Sequence, residues 1–210
     1  MEPVIIINFK TYKSGSRVLN LARAIEKFSK KIIVGIPATE IKEVAKKTKL
    51  KVYAEHVDPL LSGRNTGFIS PEEVKSDGAV GTFLNHSEHK LNFKTLKKTI
   101  QICKKVKLKT AVFASSLHEI KKISKLKPNF LIYEPPELVA GKASVSSAKP
   151  KIIKKISQTL KRNFLVGAGI HDREDVKTAL ELGASGFAVS SSVVLAKNPE
   201  KKLKKIFGEK

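Results

Sequence analysis

The sequence predicts an α/β fold, a closed parallel (β/α)8 barrel with trimmed helices. Short apolar runs rich in Val, Ile and Leu recur along the chain, and segments with helical periodicity separate them. No linker or shift in composition interrupts this alternation. Eight such units favour a closed barrel over an open doubly wound sheet, because no Gly-x-Gly-x-x-Gly turn follows the first strand. At 210 residues, against about 250 for a typical barrel, we expect one compact domain over residues 1–210.

The predicted strands are apolar runs bounded by Gly, Pro, Asn or Lys, as expected for buried parallel strands. They begin near Val4, Ile32, Val52, Ala79, Thr110, Phe130, Phe164 and Gly186. Apolar stripes mark the first and sixth helical segments: Val18, Leu19, Ala22, Ile25 and Phe28, then Ile152, Ile153, Ile156 and Leu160. Ser70-Pro71 and His171-Asp172 are helix start signals. The third unit leaves only residues 71–75 for its helix.

Composition narrows the functional classes. A net charge of +22 suggests a polyanion partner, but only five of the 41 basic residues are Arg, which base and phosphate recognition favours. The Lys pairs fall within helical patterns, which indicates solvated faces and at most weak, non-specific binding of nucleic acid. The chain has no apolar stretch of about 18 residues and no signal peptide, so we expect no membrane association and a cytoplasmic location. The single Cys103 falls on an apolar helix stripe and is expected to be buried.

Polar motifs directly follow several of the predicted strands. Asn8 and Lys10 follow the first strand, His86 and Glu88 the fourth, and Glu134 the sixth. In a barrel of this kind the active site is built at the carboxyl ends of the strands. These residues are therefore expected to share one site, with Ser87-Glu88 opening a helix next to His86. The remaining histidines, His56, His89, His118 and His171, are interpreted as loop or surface residues.

The last two strands end in Gly- and Ser-rich loops, which contain Gly169 and then Ser190 and Ser191. Barrels commonly bind a phosphate group at this position through backbone N–H groups. The sequence therefore predicts a small phosphorylated ligand.

Six motifs in this order carry a resemblance to a known family. They are Asn8-Phe9-Lys10, residues 55–59, Asn65-Thr66-Gly67, residues 81–88, residues 133–138 and residues 167–170. Together they span the chain, and they make it similar to triosephosphate isomerase, in particular to the short archaeal form. The resemblance implies a TIM barrel and an isomerase of glycolysis and gluconeogenesis that interconverts dihydroxyacetone phosphate and D-glyceraldehyde 3-phosphate without cofactor or metal.

The resemblance also implies residue roles. Glu134 would be the base, His86 the electrophile that polarises the carbonyl and moves a proton between oxygens, and Lys10 the cation near the enediolate. This pairing of a Glu base with a neutral His is the assignment known for triosephosphate isomerase itself. Glu88 would pair with the Lys10 region without contacting the substrate itself. Substrate binding is assigned to Asn8, Phe9, Lys10, Val139, Ala140, Gly169, Ser190 and Ser191.

Residues 135–144 would form a lid that closes over the phosphate and excludes water. Here the chain departs from the archaeal pattern, because Val139, Ala140, Gly141 and Lys142 replace Ile-Gly-Thr-Gly. An alanine at position 140 makes a positive φ costly. Smaller departures are Glu55 for Gln, Ser192 for Gly and Ala114 for Cys.

The resemblance further implies a homo-oligomer, a tetramer or a dimer, with Thr66 and Gly67 near the interface. Two other functions stay open at this point. A different phosphosugar enzyme on the same barrel would lack the Lys, His and Glu set. A catalytically impaired barrel could instead bind nucleic acid through its basic surface, which would require Lys side chains clustered on one face. His86 and His89 are three residues apart, but we identify no further metal ligands.

Overall fold

The computed structural model describes residues 2–139, 141, 144–160 and 162–208. Eight parallel strands form a closed barrel in which each strand pairs with its neighbours in chain order, and β1 pairs with β8 to close it. The strands are β1 Val4–Asn8, β2 Ile33–Ile36, β3 Lys51–Ala54, β4 Gly81–Leu84, β5 Lys109–Ala114, β6 Phe130–Tyr133, β7 Leu165–Gly167 and β8 Gly186–Val189. All eight lie within two residues of the predicted starts, so the predicted fold class is confirmed.

Helices follow every strand. They are α1 Ser16–Phe28, α2 Ile41–Lys47, α3 Pro71–Ser76, α4 Phe93–Lys105, α5 Leu117–Ser124, α6 Val145–Ala148, α7 Pro150–Thr159, α8 Arg173–Glu181, α9 Ser191–Val194 and α10 Pro199–Phe207. Short 3-10 turns cover Ala38–Glu40 and Pro136–Leu138. Several helices are short: α2 and α3 have seven and six residues, and α6 and α9 have four each. In the described ranges no helix is both long enough and apolar enough to cross a membrane.

The apolar core has two layers that follow from the alternation of side chains along each strand. Large rings such as Tyr53, Phe83 and Phe113 fill the inside of the barrel. Gly35 and Gly81 make room for them, because a Cβ at either position would overlap the ring of Phe83 or Tyr53. The second layer lies between the barrel and its helices and contains Cys103, which is fully buried as predicted.

Side-chain caps explain where several helices begin. The Ser70 hydroxyl accepts from the Glu72 amide, and the Asp172 carboxylate accepts from the first amides of α8, as the start signals predicted. The prediction that Ser87-Glu88 open a helix is wrong. These residues form a turn, and α4 begins at Phe93, where the Asn92 side chain accepts from the Thr95 amide.

Three non-glycine residues at strand ends have left-handed backbone conformations. Lys10 follows β1 with φ 49°, Asn85 follows β4 with φ 61°, and Ala168 follows β7 with φ 74°. Such conformations cost roughly 1 kcal/mol or more each and cluster at functional sites. All three lie at the carboxyl end of the barrel, where the candidate site is found.

Candidate active site

One pocket at the carboxyl end of the barrel collects polar side chains from opposite strands. Its wall includes residues that follow β1, β4, β6, β7 and β8, together with Val139 and Gly141 of the loop after β6. Asn8, Lys10, His86, Glu134, Val139, Gly169, Ser190 and Ser191 all line it. The structure therefore brings together most of the residues that the sequence assigned to the site.

His86 and Glu134 lie against each other in this pocket. His86 Nε2 is 2.9 Å from Glu134 Oε1, and the two side chains are 10% and 8% exposed. The atoms are close but not aligned for a hydrogen bond, since Glu134 Oε1 has no hydrogen-bond partner among the described residues. The Glu134 carboxylate also packs over Gly167, where a Cβ would overlap Oε2. A buried carboxylate and an imidazole nitrogen thus face the same small space.

The protonation of the His86 ring follows from its other nitrogen. The Glu88 amide donates to His86 Nδ1 at 3.2 Å, so Nδ1 is an acceptor and the proton of the neutral ring is on Nε2. Phe113 contacts the ring edge-to-face with centroids 4.8 Å apart. The amide next to His86 thus belongs to the turn at residues 87–88 and not to a helix N-terminus.

A buried network positions His86 from the preceding residue. Asn85 donates to the Phe113 carbonyl at 2.9 Å and to Glu119 Oε1 at 2.8 Å, and accepts from the Leu91 amide at 3.0 Å. Burial raises the pKa of Glu119, but hydrogen bonds from Lys90, Ser115 and Asn85 outweigh it and lower the pKa to about 2. These bonds hold Asn85 in its left-handed conformation. Sequence reasoning missed Glu119, because only the fold brings α5 to the end of β4.

Lys10 lies on the other side of His86. Its ammonium donates to Glu88 Oε1 at 2.6 Å, and its amide donates to Asn8 Oδ1 at 3.3 Å. The Phe9 side chain does not line the pocket, unlike the other described residues that were predicted to bind substrate. It is fully buried in the layer between barrel and helices, because successive side chains of a strand point to opposite sides.

The loop after β6 is described in part. The Val139 amide donates to the Pro136 carbonyl at 3.1 Å, so this predicted phosphate donor is already hydrogen bonded within a turn. Gly141 donates to the Leu138 carbonyl at 3.1 Å. Ala140 and Lys142, the other two residues of the altered tip, lie outside the described residues.

Comparison with known proteins agrees with this geometry. The family model described as triosephosphate isomerase matches residues 3–207. The chain belongs to the triosephosphate isomerase family. It is 42% identical to the triosephosphate isomerase of Saccharolobus solfataricus, over 95% of this chain and 92% of the relative. It is 35% identical to that of Methanocaldococcus jannaschii, over 97% and 98% of the two chains.

Within this family barrel, sequence reasoning did not assign His171 or Tyr12 to the pocket wall. His171, which we interpreted as a loop or surface residue, lines the pocket, and its Nε2 is buried without a partner in the described part of the chain. Ser190, which the sequence did assign to the site, also lines the pocket, and its Oγ is buried without a partner among the described residues. Tyr12 also lines the pocket. Only the position of His171, two residues after Gly169 at the end of β7, could have signalled its place in the site.

His56 and His89, which were predicted to be loop or surface residues, contact each other. Their rings stack with centroids 4.0 Å apart, and the His56 side chain is only 12% exposed. Burial, and then the nearby His89, lower the pKa of His56. Among the residues whose placement is described, no group of three His, Cys, Asp or Glu side chains is arranged to hold a metal ion.

Proposed function

We propose that this chain interconverts dihydroxyacetone phosphate and D-glyceraldehyde 3-phosphate, a step of glycolysis and gluconeogenesis, with residues 1–210 acting as one barrel. Its family membership supports an isomerase that acts on a triose phosphate. Glu134 would remove a proton from one carbon of the substrate and return it to the neighbouring carbon. His86 would donate its Nε2 proton toward the substrate oxygens, and Lys10 would stabilise the negative charge of the enediolate.

The observation that carries this proposal is the arrangement around the His86 ring. The Glu88 amide occupies Nδ1, so the only ring proton is directed from Nε2 into the space next to the Glu134 carboxylate. A base for the carbon and a neutral donor for the oxygen therefore face one point. The edge of Phe113 and the Asn85 network restrain the ring. Proton transfer needs this fixed orientation, because small misplacements of reacting groups are costly.

The loops after β7 and β8 would bind the phosphate group. Gly169, His171, Ser190 and Ser191 line that part of the pocket. Two of their polar atoms, His171 Nε2 and Ser190 Oγ, are buried without a partner among the described residues. Buried polar atoms are normally hydrogen bonded, and phosphate oxygens would satisfy both. Val139 would contribute its amide after the turn rearranges.

The distribution of charge argues against the nucleic-acid alternative, which the comparisons do not support either. Exposed Lys side chains occur on α1, α2, α4, α5, α7, α8 and α10, so they surround the barrel and do not form one patch. The Lys, His and Glu set is present in the pocket, which disfavours a different phosphosugar enzyme.

Self-association is proposed through the loop between β3 and α3. Thr66 and Gly67 are exposed there, and they are accompanied by two large apolar side chains, Leu61 at 45% and Phe68 at 57% exposed. Exposed apolar groups on one loop favour burial against a second copy of the chain. A cytoplasmic location is proposed because the single cysteine suits a reducing compartment.

The test is an assay of purified protein for conversion of glyceraldehyde 3-phosphate to dihydroxyacetone phosphate. His86→Ala is the paired variant, and it should abolish the turnover that the natural chain shows. His118→Ala, at an exposed position on α5, is the matched control and should retain turnover. Equal activity in the natural chain and His86→Ala would indicate contaminating host isomerase. A folded, assembled and inactive natural chain would refute the proposal.

Glu134→Asp separates the base from general binding. The shorter side chain keeps the charge but withdraws the carboxylate by one methylene, so kcat should fall by about 100-fold or more with little change in KM. Unchanged turnover would remove Glu134 as the base.

A further inference from the structure

Glu55 is a half-buried acid that the proposed reaction does not use. It directly follows β3, and its amide donates to the Ile36 carbonyl at 3.2 Å, which continues the barrel ladder. Its carboxyl faces the Lys10 amide, which favours the ionised form of the acid. The carboxyl atom Oε1 is buried and has no hydrogen-bond partner within the described ranges. An unpaired buried carboxylate is costly, whereas the neutral acid form carries no charge to solvate.

The charges around Glu55 make its ionised form still less favourable. The groups that face it are Lys10 from the loop after β1, and His86 and Glu88 from the loop after β4. The Lys10 ammonium is already paired with Glu88 at 2.6 Å, so it cannot neutralise a second carboxylate without leaving the first. Burial raises the pKa of Glu55 to about 7, a rise that Glu88 reinforces and that the Lys10 amide, His86 and Lys10 oppose.

We propose that Glu55 is a positioning residue whose neutral acid form holds the Lys10 backbone through its amide and leaves the Lys10 charge available to an anionic substrate. Ionisation of Glu55 would place a negative charge beside Lys10. It would therefore weaken binding of the substrate anion, and bound anion would in turn disfavour the ionised form. The identity of the substrate rests on the proposed function, but the coupling between Glu55 and an anion does not.

The strained backbone of Lys10 explains why a carboxylic acid is useful here. With φ at 49°, the Lys10 amide needs acceptors that hold this conformation; the Asn8 side chain provides one at 3.3 Å, and the Glu55 carboxyl that faces the amide would provide a second. Loss of one acceptor would release part of that constraint. Glu55 thus acts through Lys10 and does not itself need to touch substrate.

The pH dependence has a defined sign. Near pH 6 the carboxyl is largely protonated, and near pH 9 it is largely ionised, given a pKa of about 7. Anion affinity should therefore decrease as the pH rises through this window. At an effective dielectric constant of about 20, a charge about 12 Å from a bound anion changes affinity by about tenfold, and a shorter separation changes it by more.

The experiment measures binding of 2-phosphoglycolate, a small anion with a carboxylate and a phosphate, by calorimetry at about pH 6 and about pH 9. The natural chain is compared with Glu55→Gln, which has nearly the same shape but cannot ionise. The ratio of their dissociation constants should rise by about tenfold from the lower to the higher pH. This ratio cancels the titration of the ligand and of every group that the two proteins share. Glu181→Gln, whose carboxylate is 65% exposed, is the matched control and should give a constant ratio.

Two further measurements identify the mechanism. Infrared spectra of the natural chain at about pH 6 should contain a protonated-carboxyl band that disappears near pH 9 and is absent from Glu55→Gln. Glu55→Leu, which is neutral but cannot accept from Lys10, should lower kcat at every pH, whereas Glu55→Gln should retain the acceptor.

A dissociation-constant ratio that does not change with pH, or the absence of that infrared band, would overturn the proposal. Neither measurement requires catalysis. If the chain lacks isomerase activity but Glu55 titrates with anion binding, only the proposed function fails. If the chain is an active isomerase and the ratio is flat, only the role of Glu55 fails.

Discussion

The two sides of the pocket differ in how their polar atoms are satisfied. On the β4 side the protein supplies the partners: Asn85 has three, Glu119 receives hydrogen bonds from Asn85, Lys90 and Ser115, and His86 Nδ1 accepts from an amide. On the β7 and β8 side, His171 Nε2 and Ser190 Oγ have no partner in the part of the chain described. One side is assembled before substrate arrives, and the other leaves polar atoms for a ligand.

This difference matches the two tasks that the proposed reaction imposes. Proton transfer requires a donor and a base that are already oriented, so hydrogen bonds within the protein, some of them to charged groups, hold the donor in place. Phosphate binding requires donors that are free until the ligand enters, so these atoms form their hydrogen bonds only with the bound ligand. The cost of leaving buried polar atoms unpaired, roughly 1–3 kcal/mol each, is recovered when an anion binds. Substitutions on the first side should therefore affect mainly kcat, and substitutions on the second side mainly KM.

Lys10→Met should have the largest effect. It removes the only ammonium group that lines the described pocket, keeps a similar apolar stem, and leaves Glu88 without its 2.6 Å partner. Loss of one charged group that stabilises the transition state costs roughly 100- to 1,000-fold in kcat, and binding of 2-phosphoglycolate should also weaken. Steady-state kinetics and calorimetry measure the two effects. Lys27→Met, an exposed Lys on α1, is the control, and equal activity in both variants would make Lys10 an ordinary surface lysine.

Gly167→Ala should have the next largest effect, because it acts on the base without touching its chemistry. A Cβ at position 167 would overlap Glu134 Oε2, which is the free end of a side chain and can move. The fold should therefore survive while the carboxylate is displaced by about 1 Å, which predicts a loss of about 100-fold in kcat. Circular dichroism and thermal unfolding provide the control for folding. A variant with normal kcat would show that the position of Glu134 tolerates such displacement.

The sequence predicted the barrel better than it predicted the pocket. Apolar runs and helix caps are local signals, so all eight strands and the cap at Asp172 could be located from them. The pocket depends on contacts between elements that are distant in sequence. Phe9 was placed in the site although strand alternation turns it into the core, and His171 was left out although it lines the wall. The roles of Lys10, His86 and Glu134 came from family resemblance, and periodicity alone could not have assigned them.

Glu119→Gln should have an intermediate effect that reveals how far the β4 side depends on charge. The amide cannot accept all the hydrogen bonds that the carboxylate receives from Asn85, Lys90 and Ser115, so Asn85 should shift and kcat should fall by about tenfold. KM should change less. The free energy of unfolding at neutral pH should fall by about 1–2 kcal/mol, a value reduced for partial solvent exposure.

The pH dependence of that stability difference is a second test. The pKa of Glu119 is lowered in the folded chain from 4.5 to about 2, so its ionised form stabilises the fold above 4.5. This contribution should be lost as the pH falls from 4.5 to about 2. The free energies of unfolding of the natural chain and of Glu119→Gln, measured with urea, should therefore converge near the lower of these pH values. Curves that remain equally separated at every pH would attribute the effect to shape instead of charge.

His171→Phe should have the smallest effect and should fall on the other kinetic parameter. Phenylalanine keeps a ring of similar width on the pocket wall but removes Nε2, the atom without a partner among the described residues. If that atom binds phosphate, its loss should raise KM by about fivefold, the equivalent of one hydrogen bond, with kcat nearly unchanged. A fall in kcat at constant KM would instead assign His171 to proton transfer. That result would remove the division between a catalytic β4 side and a binding side at β7 and β8.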